Sequence, residues 1–208
     1  MKMRVVIADD HPLTVVGIRQ VLAQAPDLVV VGEAGEPGSL LDCLARTCCD
    51  VAVTDFAMPG YTQADGLLML ETIRTTFPLV RLVVLTMLDN PALLQHIRDA
   101  GVLAVVGKRS NLSALPLAIA AAYHGRSYAS LPQRQAPAAS AEDGARPLSP
   151  REIEIVRLCA HGMSMTDIAL HFGRSIKTIS THKHNAMDKL GITSDAELFH
   201  YAVGNGLA

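Results

Sequence analysis

Tryptophan is absent from this chain of 208 residues, and aromatic residues make up only 4% of it. A core without large rings must be assembled from Val, Leu, Ile, Ala and Met, which suits layered strands and helices. Long hydrophobic runs are missing too. The opening Met1-Lys2-Met3-Arg4 brings charge too early for a signal-peptide core, so a soluble, cytoplasmic protein with no membrane partner is expected. Nor is there any Cys-x-x-Cys pair, and Cys43, Cys48, Cys49 and Cys159 are expected to be reduced thiols, not a disulfide framework or a zinc site. Finally, neither sign of charge is in excess, the formal net charge being -2. Basic charge is instead concentrated: residues 174–189 hold four of the six Lys/Arg of the last 61 residues, against one acid.

What is present divides in two. The length exceeds that of a usual single domain and accommodates one domain of ordinary size and one small one. Short β-branched runs at Val5–Ala8, Val29–Gly32, Val51–Asp55, Leu82–Thr86 and Val102–Val106 read as strands, separated by amphipathic helical stretches. Five strands that are apolar on both faces imply a doubly wound parallel α/β sheet covered by helices on both sides. The expected boundaries are 1–123 for this domain, 124–147 for a flexible linker rich in Ala and Pro, and 148–208 for a helical domain.

In the last part, Ser149-Pro150-Arg151-Glu152 opens a helix with a capping residue, Pro at the first position and acid in the first turn. A short helix follows over Met165–Phe172, a third from Ser175 to Leu190-Gly191, and a fourth over Asp195–Ala202. Gly-containing turns between such short helices make the second and third a helix-turn-helix.

Ligands of an open parallel sheet bind beyond the carboxyl ends of its strands. There the sequence places Asp9 and Asp10 after strand one, Asp55 at the end of strand three, Thr86 at the end of strand four and Lys108 after strand five. Three acids in one crevice need a compensating cation, and hard oxygen ligands favour Mg²⁺. Taken singly, each residue has a plainer role: Asp9 and Asp10 as caps for a helix at Pro12, Asp55 as a turn residue, Thr86 as a strand-end hydroxyl, Lys108 as a solvated charge. Those roles do not explain acids, hydroxyl and lysine at matching ends of four strands. His11 reads as a structural or surface residue.

Ala8-Asp9-Asp10-His11-Pro12, Thr54-Asp55-Phe56-Ala57-Met58-Pro59-Gly60, Leu85-Thr86 and Lys108 resemble the motifs of receiver domains. Leu148-Ser149-Pro150-Arg151-Glu152, Ile168-Ala169, Ser175 to His182 and Lys189-Leu190-Gly191 resemble the LuxR-type output domain of the NarL/FixJ response regulators. The longer loop from Pro59 to Gly66 and the run from Arg174 to Ser180 are similar to those of the subgroup serving the Rcs phosphorelay. The resemblance implies a flavodoxin-like receiver with Asp55 as phosphoacceptor. It also implies Mg²⁺ held by Asp9, Asp10, Asp55 and the carbonyl of Ala57, with Thr86 and Lys108 stabilising the phosphoryl group. The implied partners are a histidine kinase or histidine phosphotransfer protein, double-stranded DNA, a second copy of the chain or a co-regulator in a heterodimer, and RNA polymerase. Receivers often carry an aromatic switch residue, a position assigned by this reading to Val106; Gly107 follows it.

On a helical wheel Ile176, Ile179, Ala186, Met187 and Leu190 share one side of the third helix, and Lys177, Thr181, His184 and Asp188 the other. Ser180, Thr181 and His184 are the candidates for base edges, and Lys177, Thr178, Lys183 and Lys189 for phosphates. Lys183 falls toward the apolar side. Two other functions remain to be separated from this one: a protein-interaction module indifferent to phosphate, and a phosphatase-type hydrolase using Asp55. The second lacks the acid two residues on, where Ala57 stands, and the expectation is that the chain is not an enzyme.

Overall fold

A computed structural model describes residues 2–58, 65–88, 90–109, 112–130 and 147–207. The chain divides into two compact units, one built chiefly from residues before Pro132 and the other from Gln133 onward.

The first unit alternates strands β1 (Met3–Ala8), β2 (Leu28–Ala34), β3 (Val51–Asp55), β4 (Arg81–Thr86), β5 (Ala104–Gly107) and β6 (Tyr128–Ser130) with helices α1 (Pro12–Ala23), α2 (Pro37–Arg46), α3 (Gly66–Thr76), α4 (Pro91–Asp99) and α5 (Leu115–Tyr123). All strand pairs are parallel, in the order β2-β1-β3-β4-β5-β6. Every residue of β3 is buried, as a strand covered on both faces requires. One face packs Val5, Ile7, Val53, Leu85 and Val106 against Ile18 and Leu22 of α1 and Leu115 and Ile119 of α5. Across the sheet α2 packs on β1 and β2.

The sheet corrects the expected count of five strands. β6 adds a sixth at the edge, within the stretch read as linker; it pairs with β5 over Ala104–Val106, and Tyr128 N–H donates to Leu103 O at 2.9 Å. Residues 131–146 of that stretch lie outside the described residues, as does most of the loop from Pro59 to Gly66.

The second unit is all-helical: α6 (Pro150–Ala160), α7 (Met165–His171), α8 (Ile176–Leu190) and α9 (Asp195–Gly204). Each starts at a serine. Ser149, Ser164, Ser175 and Ser194 accept the N–H of the third helical residue, supplying a partner that the open first turn lacks. α8 ends at Gly191 in the left-handed conformation, φ 66°, where a side chain would be strained. Ile153, Val156, Ile168, Ile179, Ala186 and Leu198 form the core. Ile176, expected on the apolar side, is 49% exposed; the buried residues of α8 are Ile179 and Ala186.

Candidate functional site

The carboxyl ends of β1, β3 and β4 and the turn after β5 converge. Asp55 on β3 is level with Leu85 on β4, Thr86 is level with Gly107 on β5, and Lys108 N–H donates to Thr86 O at 2.8 Å. Parallel register thus brings together residues 53 positions apart: Lys108 Nζ lies 2.7 Å from Asp55 Oδ2 and donates a hydrogen bond to it. The same ammonium is 2.7 Å from Asp9 Oδ2, an ion pair with a side chain that is fully buried. Asp9 Oδ1 accepts the His11 N–H at 2.9 Å.

Burial makes the charges unequal. It is the largest influence on Asp55 and pushes its pKa up to about 6, against the pull of Lys108; the neighbouring Asp9 charge adds to the rise. Burial also depresses Lys108, but the two carboxylates outweigh it and leave the ammonium more firmly protonated than usual.

Donor atoms of Asp9, Asp10, His11 and Asp55 lie within 4.8 Å of one another. Oxygen-rich, crowded and partly buried, these residues fit a hard divalent cation. Ala57 contributes its N–H to the Asp55 carboxylate at 3.4 Å. Asp9 and Asp10 do not cap α1: its cap residue is His11, with no side-chain cap bond. His11, set aside by the sequence reading, belongs to the cluster, with its Nδ1 2.8 Å from Asp10 Oδ1 and 3.4 Å from Asp9 Oδ1.

Thr86 is buried at the edge of this pocket. Its strand register corrects the switch position. Level residues of paired parallel strands point to one face, so Thr86 shares a face with Gly107 and, two residues back, with Val105; Val106 lies level with Leu85 in the core under α1 and α5. A side chain coupled to Thr86 would therefore come from Val105, which is buried and also not aromatic.

In the second unit Lys177, Thr178, Thr181 and His184 are exposed on α8, and Ser180 is half-buried. Two lysines expected at phosphates are engaged elsewhere. Lys189 Nζ donates to Glu152 Oε2 of α6 at 2.7 Å, and Lys183, with only 14% of its side chain exposed, meets Asp195 at the start of α9 at 2.6 Å. Neither partner is adjacent in sequence, and no local pattern announces them.

Two family descriptions match: "Response regulator receiver domain" over residues 5–120 and "Bacterial regulatory proteins, luxR family" over 146–202. The chain is 38% identical over 201 residues to the transcriptional regulatory protein RcsB of Escherichia coli K12, covering 96% of this chain and 93% of RcsB. It is 31% identical over 212 residues to the oxygen regulatory protein NreC of Staphylococcus haemolyticus, covering 97% of each. Among solved structures, RcsB of Salmonella enterica serovar Typhimurium bound to promoter P1flhDC with the phosphomimetic BeF3- has a TM-score of 0.85 at 38% identity, over 98% of this chain and all of that one. These matches span both units, and the chain belongs to the response regulators that join a receiver domain to a LuxR-type helix-turn-helix domain.

Proposed function

We propose that the chain is a transcription regulator whose DNA binding is controlled by a phosphoryl group accepted on Asp55. The observation that carries this reading is the placement of Lys108 Nζ between the buried carboxylates of Asp9 and Asp55, one residue beyond Gly107, which is level with Thr86. A carboxylate oxygen of Asp55 attacks phosphorus, the bond to the donor breaks, and an acyl phosphate forms. Lys108 then transfers its hydrogen bond from the carboxylate to a phosphoryl oxygen, and the Thr86 hydroxyl donates to another.

Asp9, Asp10, Asp55 and the Ala57 carbonyl would hold Mg²⁺, which when bound offsets the negative charge of the incoming group. The donor of the phosphoryl group is a histidine kinase or a histidine phosphotransfer protein. The receiver runs from residue 1 through β6 at Ser130, past the boundary expected at residue 123, and a linker after it leads to an output domain over 148–208. The chain acts in the cytoplasm, as a regulator and not as an enzyme.

On the output side, Ser180, Thr181 and His184 meet base edges, and Lys177 and Thr178 meet phosphates; Lys183 and Lys189 contribute charge at the rim from within their ion pairs. Few phosphate contacts per copy favour dimers, and solved RcsB structures include two dimers bound to two parallel DNAs. A heterodimer with a co-regulator and contact with RNA polymerase follow from the same role. Acetyl phosphate or beryllium fluoride with Mg²⁺ should tighten DNA binding by the full chain, and Asp55→Asn should leave it unresponsive. A full response in that variant overturns the reading.

A further inference from the structure

Two polar side chains on the exposed face of α8 have already spent their protons. Thr181 Oγ1 donates to Lys177 O at 2.9 Å, and His184 Nδ1 lies 2.8 Å from Ser180 O. A carbonyl oxygen can only accept, so Nδ1 carries the hydrogen. In the neutral ring that assignment fixes the tautomer: Nε2, the outer nitrogen, holds a lone pair and no proton. The Thr181 oxygen likewise keeps its lone pairs after donating inward. Both residues are exposed, and three positions apart on a helix they are neighbours on one face.

The geometry points to a recognition helix that reads amino groups: Thr181 and His184 present hydrogen-bond acceptors to the major groove and select adenine N6 or cytosine N4 in place of guanine. In the major groove these exocyclic amines are the donors that base edges offer, whereas guanine shows only acceptors at O6 and N7. An acceptor facing an acceptor leaves both desolvated and unpaired, which is the penalty that discriminates. The Thr181 methyl adds an apolar contact for a thymine methyl beside the amine. Lys177, on the same stripe one turn earlier, is a pure donor, and its suitable partner is a phosphate oxygen. The inference rests on the proposed placement of α8 in the major groove and adds the chemistry of the bases it chooses.

The test is selection from a randomised duplex library with the full chain, beryllium fluoride and Mg²⁺, run in parallel with His184→Ala and His184→Lys. The expected result is one half-site position where the wild type enriches adenine or cytosine, His184→Ala loses the preference and binds the selected duplex about three- to tenfold more weakly, and His184→Lys turns the preference to guanine. At that position 2-aminopurine for adenine, which moves the amine out of the major groove, or 2-pyrimidinone for cytosine, which deletes it, should reproduce the loss in the wild type. Circular dichroism of the variants checks the fold, which an exposed side chain leaves intact. Guanine at the position that His184→Ala relaxes overturns the inference while leaving DNA binding in place. So does an unchanged site in that variant. Failure to enrich any duplex overturns the DNA-binding reading and this inference with it.

Discussion

Lys108 Nζ lies 2.7 Å from Asp55 Oδ2, and the same ammonium stands 2.7 Å from Asp9 Oδ2. One cation thus faces two buried carboxylates. Without it, two like charges would share a largely buried crevice, so removing Lys108 should cost the receiver stability even before any phosphoryl group arrives.

Lys108→Ala should therefore destabilise the metal-free receiver by about 3 kcal/mol, the range for breaking a buried pair. Adding Asp55→Asn should restore part of that, because it removes one of the orphaned charges. Urea denaturation of the single and double variants measures both effects; equal stability of the wild type and Lys108→Ala contradicts the account.

The acidity of Asp55 gives a second expectation. Its folded pKa, about 6, lies above the value near 4 of an unfolded aspartate, chiefly through burial. The folded state therefore holds a proton that the unfolded state has released. This group's contribution to stability should fall as pH rises from about 4 to about 6 and stay level above. Carbon-13 NMR of the Asp55 carboxyl should show a midpoint near 6 without metal, moving lower on addition of Mg²⁺, which favours the ionised form. A midpoint in the usual carboxylate range without metal would contradict the burial argument.

How far the sequence carries these features depends on their range. The helices of the second unit were legible to within a residue or two because their signals are local: a serine at Ser149, Ser164 and Ser175, and Gly191 at the end of α8; the cap at Ser194 emerged only in the structure. β6 was not. Three residues among Ala and Pro carry no period, and Tyr128–Ser130 become a strand only because the edge of β5 is there to pair with. Counting back from Lys108 put the switch position on Val106, whereas the face of a strand residue is set by its register with Thr86, a tertiary relation. The ion pairs Lys189–Glu152 and Lys183–Asp195 were equally invisible, since each joins separate helices.

Acid should loosen the second unit through its caps. Burial pushes Glu152 up, but Lys189 and the Ser149 N–H and hydroxyl outweigh it, so its net pKa is lowered. Glu197 is lowered by the N–H groups of Thr193 and Ser194. A carboxylate with a depressed folded pKa contributes stability above its unfolded pKa and loses it as pH falls through the folded one. Stability of this unit should decline below about pH 4.5, with a shallower decline in Glu152→Gln and Glu197→Gln. Thermal melts followed by helical circular dichroism across pH 3–7 test it, and parallel slopes in the wild type and both variants would sink it.

The lysines of α8 should separate by what they already hold. Lys177 is exposed and has no ion-pair partner among the described residues, whereas Lys189 is bonded to Glu152 across helices. Lys177→Met should leave the melting temperature within about a degree, weaken binding to all duplexes alike, and reduce the salt slope of log Kd by about one. Lys189→Met removes the partner of a buried carboxylate and should act first on stability, costing about 1–3 kcal/mol. Glu152→Gln in the same chain should recover part of that cost, since a neutral amide needs no cation. Salt-dependent binding isotherms and a denaturation double-mutant cycle read the two effects independently. The reverse pattern, with Lys177→Met destabilising and Lys189→Met silent in the melt, would mean that the ion pair does not hold α6 to α8.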